Sequence, residues 1–141
     1  MTRIDTFDDY QTAAARTAIY PEDTKIFYPG LGLTGEVAEV AEKVGATPDE
    51  LGAVAKELSF RMSIHAGRAA NQIKKVIRDD GDQLTEERRA AIGKEIGGVL
   101  WYCAALATDL GLNLGDIARE NIKILADRQE RGALTGDGDN R

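Results

Sequence analysis

Of 141 residues only one is a cysteine, Cys103, and only one a histidine, His65. A lone thiol in an apolar stretch excludes a disulfide or a cysteine-based metal site within one chain. A lone histidine with no serine or cysteine arranged around it gives no nucleophilic triad, and His65 reads as a core or surface residue. No apolar run approaches the ~20 residues of a membrane-spanning helix. The start Met1-Thr2-Arg3-Ile4-Asp5 is too polar for a secretory signal, so the expectation is a cytoplasmic protein without a membrane partner. Excess positive charge is missing too. The net charge of −6 argues against a sequence-independent grip on nucleic-acid phosphates. Nucleotides stay open, because a bound metal reverses the local sign. There is no Gly-x-x-x-x-Gly-Lys-Ser/Thr phosphate loop: Gly30, Gly32 and Gly35 have other spacings and follow no strand. The apolar alternation of strands is nearly absent.

What remains is helical. With 43% hydrophobic and 30% charged residues, the chain fits one ordinary globular domain. Thr6 with Asp9 reads as a capping box that opens a helix running to roughly Tyr20. Residues 21–30 read as a loop, and a second helix is expected over about Leu31–Val44, with Leu33, Val37, Val40 and Val44 toward a core. Thr47-Pro48-Asp49-Glu50 reads as a restart. A third helix then carries Leu51, Val54, Leu58, Met62, Ala69, Ile73, Val76 and Ile77 as far as Arg78, with Gly67 a candidate break. Asp79-Asp80-Gly81-Asp82 makes a turn. Thr85-Glu86-Glu87 starts a fourth helix that Gly111 closes, and Asn113 with Asp116 starts a fifth that ends near Arg131-Gly132. The fold expected is an all-α antiparallel bundle of about five helices over residues 1–132, with a mobile polar tail over 133–141.

Chemistry is concentrated in two acidic segments, Gly35 to Glu42 and Lys94 to Tyr102. Carboxylates three apart on a helix share a face. Glu36 and Glu39 can therefore hold one hard cation together, and Glu95 can approach it from a facing helix. Such an oxygen-only set suits magnesium. Glu42 lies roughly 120° off the Glu36 direction and reads as a supporting acid. Position 98, the natural partner of Glu95 at i+3, is a glycine. Tyr102 shares the Glu95 face and could stack on a base, while Trp101 reads as core or interface. The bland alternative is that the glutamates form a solvated helix face and the basic residues are surface cations.

Tyr28 to Lys43, beginning Tyr-Pro-Gly-Leu-Gly-Leu, resembles the first metal-binding helix of the MazG-like, all-α nucleoside triphosphate pyrophosphohydrolases. Lys74 to Asp79 resembles the segment that follows, and Lys94 to Tyr102 the second metal helix, where the family pattern is Glu-x-x-Asp. Asn121 to Gly132 and the ending Gly136-Asp137-Gly138-Asp139-Asn140-Arg141 resemble the last helix and tail of short members. The resemblance implies magnesium-dependent hydrolysis of nucleoside triphosphates to the monophosphate and pyrophosphate, with manganese as a possible substitute ion. It implies Glu36, Glu39 and Glu95 as metal ligands, with Glu39 as proton acceptor. Lys75, Tyr102, Asn121 and Arg128 become substrate contacts, with Lys74, Arg78 and Lys123 as further cations near phosphate. A homodimer or homotetramer is implied as well.

Three departures stand out. Gly98 replaces the expected aspartate, an inserted segment of about 29 residues (45–73) precedes Lys74-Lys75, and Lys123 comes one place early in the Asn-x-x-Lys pattern. The first supports an alternative, a catalytically impaired homologue that binds nucleotides or a protein partner without efficient turnover. If position 98 is a degenerate metal position, Gly98→Asp should restore a ligand and tighten magnesium binding.

Overall fold

The computed structural model describes residues 4–45 and 50–135, with side chains over 4–43 and 56–135. Five α-helices and one short 3-10 turn account for the regular structure among these residues, with no strand: α1 Phe7–Ala15, η1 Glu22–Thr24, α2 Phe27–Gly45, α3 Glu50–Asp80, α4 Glu86–Asp109 and α5 Leu114–Glu130. The expected restart at Thr47-Pro48 and the ending 136–141 lie outside the described residues, as do the side chains of Val44, Leu51 and Val54.

Local chemistry sets most helix ends. The Thr6 hydroxyl accepts from the Asp9 amide at 3.1 Å, and the Asp9 carboxylate accepts from the Thr6 amide at 3.0 Å. Thr85 caps α4 through the Arg88 amide, and Asn113 caps α5 through the Asp116 amide. Gly111 and Gly132 end α4 and α5 with φ of 68° and 67°. The Leu112 amide reaches back to the Ala107 carbonyl at 2.8 Å, which satisfies an acceptor that the helix end would leave open.

Helix α3 runs on to Asp80 rather than stopping at Arg78, and two other boundaries differ further from the expectation. Helix α1 stops at Ala15 rather than Tyr20: the amides of Arg16, Thr17 and Ala18 turn to carbonyls three residues back, and the Thr17 hydroxyl takes the Ala14 carbonyl at 2.8 Å. Pro21 then disfavours helical backbone at Tyr20. Helix α2 starts at Phe27, before the expected Leu31, because Pro29 falls in its first turn, where no amide partner is needed. Gly67 does not interrupt α3, since the neighbouring Ala66 and Ala69 are fixed by packing.

Helix α3 is the axis of the molecule: α2 and α4 both pack on it, while α5 packs on α1 and touches α4. Met62, Ala66, Ala69, Ile73 and Val76 recur at spacings of four and three along α3 and are all buried. Val37 from α2 and Val99 from α4 close on Met62 and Ala66 in one cluster, rimmed by Leu33, Tyr102 and Cys103. Burying each of the larger side chains contributes about 1.5–3 kcal/mol. At the α3–α4 turn Gly81 and Asp82 are both left-handed, and Arg88 spans the joint, bonding Asp80 at 2.8 Å and Gln72 at 2.9 Å. None of the described helices is long and apolar enough to cross a membrane.

Gly111→Ala should lower stability by about 1–2 kcal/mol, the cost of a β-carbon in left-handed backbone. Urea unfolding of parent and variant measures it, and no change would mean that α4 can end in another way.

Candidate functional site

The face of α4 that meets α3 is built from Glu95, Gly98, Val99 and Tyr102, spaced three, four and seven residues from Glu95. Val99 is core, so Glu95, one turn before it, is drawn partly inside, with only 16% of its side chain exposed. Opposite it, His65 of α3 follows Met62 by three residues and adjoins the buried Ala66. His65 Nδ1 lies 2.6 Å from Glu95 Oε2. The contact joins an imidazole nitrogen of α3 to a carboxylate oxygen of α4 across the seam between the two helices.

Gly98 gains a structural reason here. A β-carbon at this position would fall 2.5 Å from His65 Nδ1 and 2.7 Å from its Cγ, so the imidazole occupies the space of the missing side chain. The ring is not a free end that can swing away, because Glu95 holds it. The Tyr102 ring lies 5.7 Å from the His65 ring, tilted by 35°, and Trp101 meets Tyr102 edge-on at 4.8 Å. Arg61, one turn before His65, bonds the Glu57 carboxylate at 2.5 Å. Glu57 first, and Tyr102 second, hold the Arg61 guanidinium above its ordinary pKa. A histidine, a carboxylate and a phenol thus meet beside one glycine.

Sequence reasoning passed over His65. The available signal was a glycine one turn beyond Glu95, on the α4 face that meets α3. Trp101, expected in the core or at an interface, is 62% exposed.

The other expected residues fall elsewhere. Glu36 and Glu39 are exposed on α2, and Glu42 is exposed as well. Among the described residues no three or more His, Cys, Asp or Glu side chains are gathered as a group that could hold an ion. Glu95 therefore contacts His65 rather than the α2 acids. Lys75 is half-buried near Asp79, Arg78 pairs with Asp79 at 2.6 Å, and Lys123 pairs with Glu120 at 2.8 Å. Asn121 accepts from the Tyr10 hydroxyl at 2.9 Å and so ties α5 to α1, and burial pushes the Tyr10 phenol up from its ordinary pKa. Arg128 lines a cavity with Tyr10, Tyr20 and Tyr28. Cys103 is half-buried, and burial raises its thiol pKa, which suits packing rather than reactivity.

The chain is 33% identical over 140 residues to the "Gene 37 protein" of Mycobacterium phage L5, an alignment that covers 95% of this chain and 97% of the phage protein. It belongs to that protein's family. No family model matches the chain. No solved structure matches it either.

The Gly98–His65 fit generates a test. Gly98→Ala should destabilise by about 1–3 kcal/mol through overpacking, and Gly98→Asp by at least as much. In a His65→Ala background the Gly98→Ala penalty should shrink by about 1 kcal/mol or more, which a double-mutant cycle in urea reads directly. Additive effects would mean that the ring does not fill position 98. The expectation from the sequence was that Gly98→Asp restores a ligand and tightens magnesium binding; the ring at this position adds a steric cost to that substitution.

Proposed function

We propose that the chain is a magnesium-dependent hydrolase of nucleoside triphosphates, releasing the monophosphate and pyrophosphate, similar to the MazG-like enzymes. The observation that carries this reading is the level at which the two acidic segments meet α3. Val37, next to Glu36, and Val99, one turn from Glu95, share one core cluster, so both carboxylate motifs flank the same stretch of α3. The exposed pair Glu36 and Glu39 offers hard oxygen donors one turn apart, a donor set that fits magnesium or manganese. Such an ion would neutralise phosphate charge and lower the pKa of a bound water. Glu36 and Glu39 would hold it, and a Glu39 carboxylate oxygen would take the proton of the attacking water. Glu95, bonded to His65 on the α4 face toward α3, stands apart from this pair. Lys75 and Arg128 would balance phosphate charge, with Tyr102 and Asn121 as further substrate contacts.

The same reading includes a cytoplasmic homodimer or homotetramer of antiparallel helices. What supports assembly is the outer surface of α3 and α4, where Phe60, Ile64, Ile96, Leu100 and Trp101 are exposed. Static light scattering at micromolar concentration should give at least twice the monomer mass, and Leu100→Glu with Trp101→Glu should lower it. A monomeric parent would remove the assembly from the proposal.

A second reading has an observation of its own. The His65–Glu95 contact and the ring over Gly98 occupy the α4 half of the acidic site, which favours a homologue that binds nucleotides or a protein partner without efficient turnover.

Pyrophosphate release across a panel of ribo- and deoxyribonucleoside triphosphates with magnesium separates the two. Turnover should be seen, and Glu36→Gln or Glu39→Gln should reduce it by about tenfold to a hundredfold or more, the scale of losing a metal-supporting contact. Magnesium should also raise the melting temperature of the parent but not of Glu36→Gln. Nucleotide binding without pyrophosphate release would decide for the second reading.

A further inference from the structure

Beside the first turn of α2 lies a cavity of about 560 Å³, walled by α1, the segment that follows it, and α5. Its lining includes three of the four tyrosines: Tyr10 from α1, Tyr20 from the connection and Tyr28 from α2. Tyr20 and Tyr28 stack with ring centroids 5.2 Å apart and planes 21° from parallel. Tyr28 is nevertheless 58% exposed, so part of its surface stays available. The Tyr10 hydroxyl is directed by its bond to Asn121, and Arg128 of α5 lines the same space. Flat rings beside a guanidinium suit a ligand with a planar heterocycle and an anionic group.

The phase of α2 connects this cavity to the acids. Pro29 and Gly32 are part of its wall. At about 100° per residue, Gly32, Glu36 and Glu39 fall within roughly 60° of one another, on the side of α2 away from Val37 and the core. Beyond the adjacent residues and the backbone of α2 itself, neither Gly32 nor Gly35 has an atom within 4 Å of where a β-carbon would stand, so this strip of α2 is open. Glu36 and Glu39 lie roughly 6 and 10 Å along the axis from Gly32, at about 1.5 Å per residue. That run is comparable to a sugar followed by a chain of phosphates.

We propose that this cavity is the base subsite of a nucleotide site, with the heterocycle against Tyr28 and Tyr20, Arg128 beside the sugar-phosphate, and the phosphates running over Gly32 toward Glu36 and Glu39. The assignment rests on the nucleotide reading above and moves the base platform from Tyr102, which belongs to the His65 cluster, to the tyrosines of α1 and α2. The open strip explains why small residues lie between the aromatic and acidic ends: side chains at 32 and 35 would stand where the sugar and first phosphate pass.

Two measurements test it. Calorimetric titration with the four common nucleoside monophosphates, without metal, should show binding of at least one. Tyr28→Leu and Tyr20→Leu should each weaken it by about tenfold, the low end of the loss of one base–aromatic stack, while binding of inorganic tripolyphosphate with magnesium stays within about twofold. With ring-labelled tyrosine in the unaltered chain, the bound monophosphate should shift the Tyr20 and Tyr28 resonances and leave Tyr102 in place. Unchanged monophosphate affinity in both leucine variants, or shifts at Tyr102 alone, would overturn the assignment, and so would the absence of any monophosphate binding. Failure of pyrophosphate release with the tyrosine shifts intact would count against hydrolysis only. Release that survives both leucine substitutions unaltered would count against the subsite only.

Discussion

Burial of one narrow stripe of α3 is the constraint on which the other helices depend. The stripe is mixed, with large side chains at Met62, Ile73 and Val76 and small ones at Ala66 and Ala69. The alanines let two neighbours approach the same helix at the same height, and Val37 and Val99 fill the resulting hollow from either side. Everything placed by α2 and α4 inherits its position from that contact, including the acids of α2 and the Glu95 face of α4. Helices α1 and α5 stand apart as a pair, joined by contacts such as Tyr10–Asn121, and reach the rest of the molecule through α4 and the first turn of α2.

Features determined within a few residues were legible in the sequence. The Thr6–Asp9 box, the Thr85 and Asn113 caps, and the glycine stops at 111 and 132 depend on side chains and amides one turn apart, so reading the order of residues was enough. The end of α1 was misread because apolar residues continue through Ile19 and Tyr20, while the hydroxyl of Thr17 and the ring of Pro21 act against the helix without changing that pattern. Gly67 was misjudged in the opposite sense, since propensity is local and the packing of its neighbours is not. Position 98 shows the limit most clearly. From the sequence it is a vacancy on α4, and nothing near it names a filler, because the filling ring comes from a different helix, α3.

Two polar centres result, and they are chemically unlike. One, beside Gly98, is half-buried, with His65 bonded to Glu95 and its ring against Tyr102. The other follows α2 from a tyrosine-walled cavity to two exposed carboxylates. Placing substrate chemistry on the second and a structural lock on the first assigns each a role that its surroundings support.

Trp101 has a practical consequence. It is the sole indole of the chain, largely exposed, and its ring stands edge-on against Tyr102, which in turn adjoins His65. Any event that dehydrates the outer face of α4, or reorients the phenol beneath it, changes the polarity felt by that one chromophore. The protein therefore carries its own optical probe: emission excited at the indole band reports on this corner alone, with no competing signal from another tryptophan.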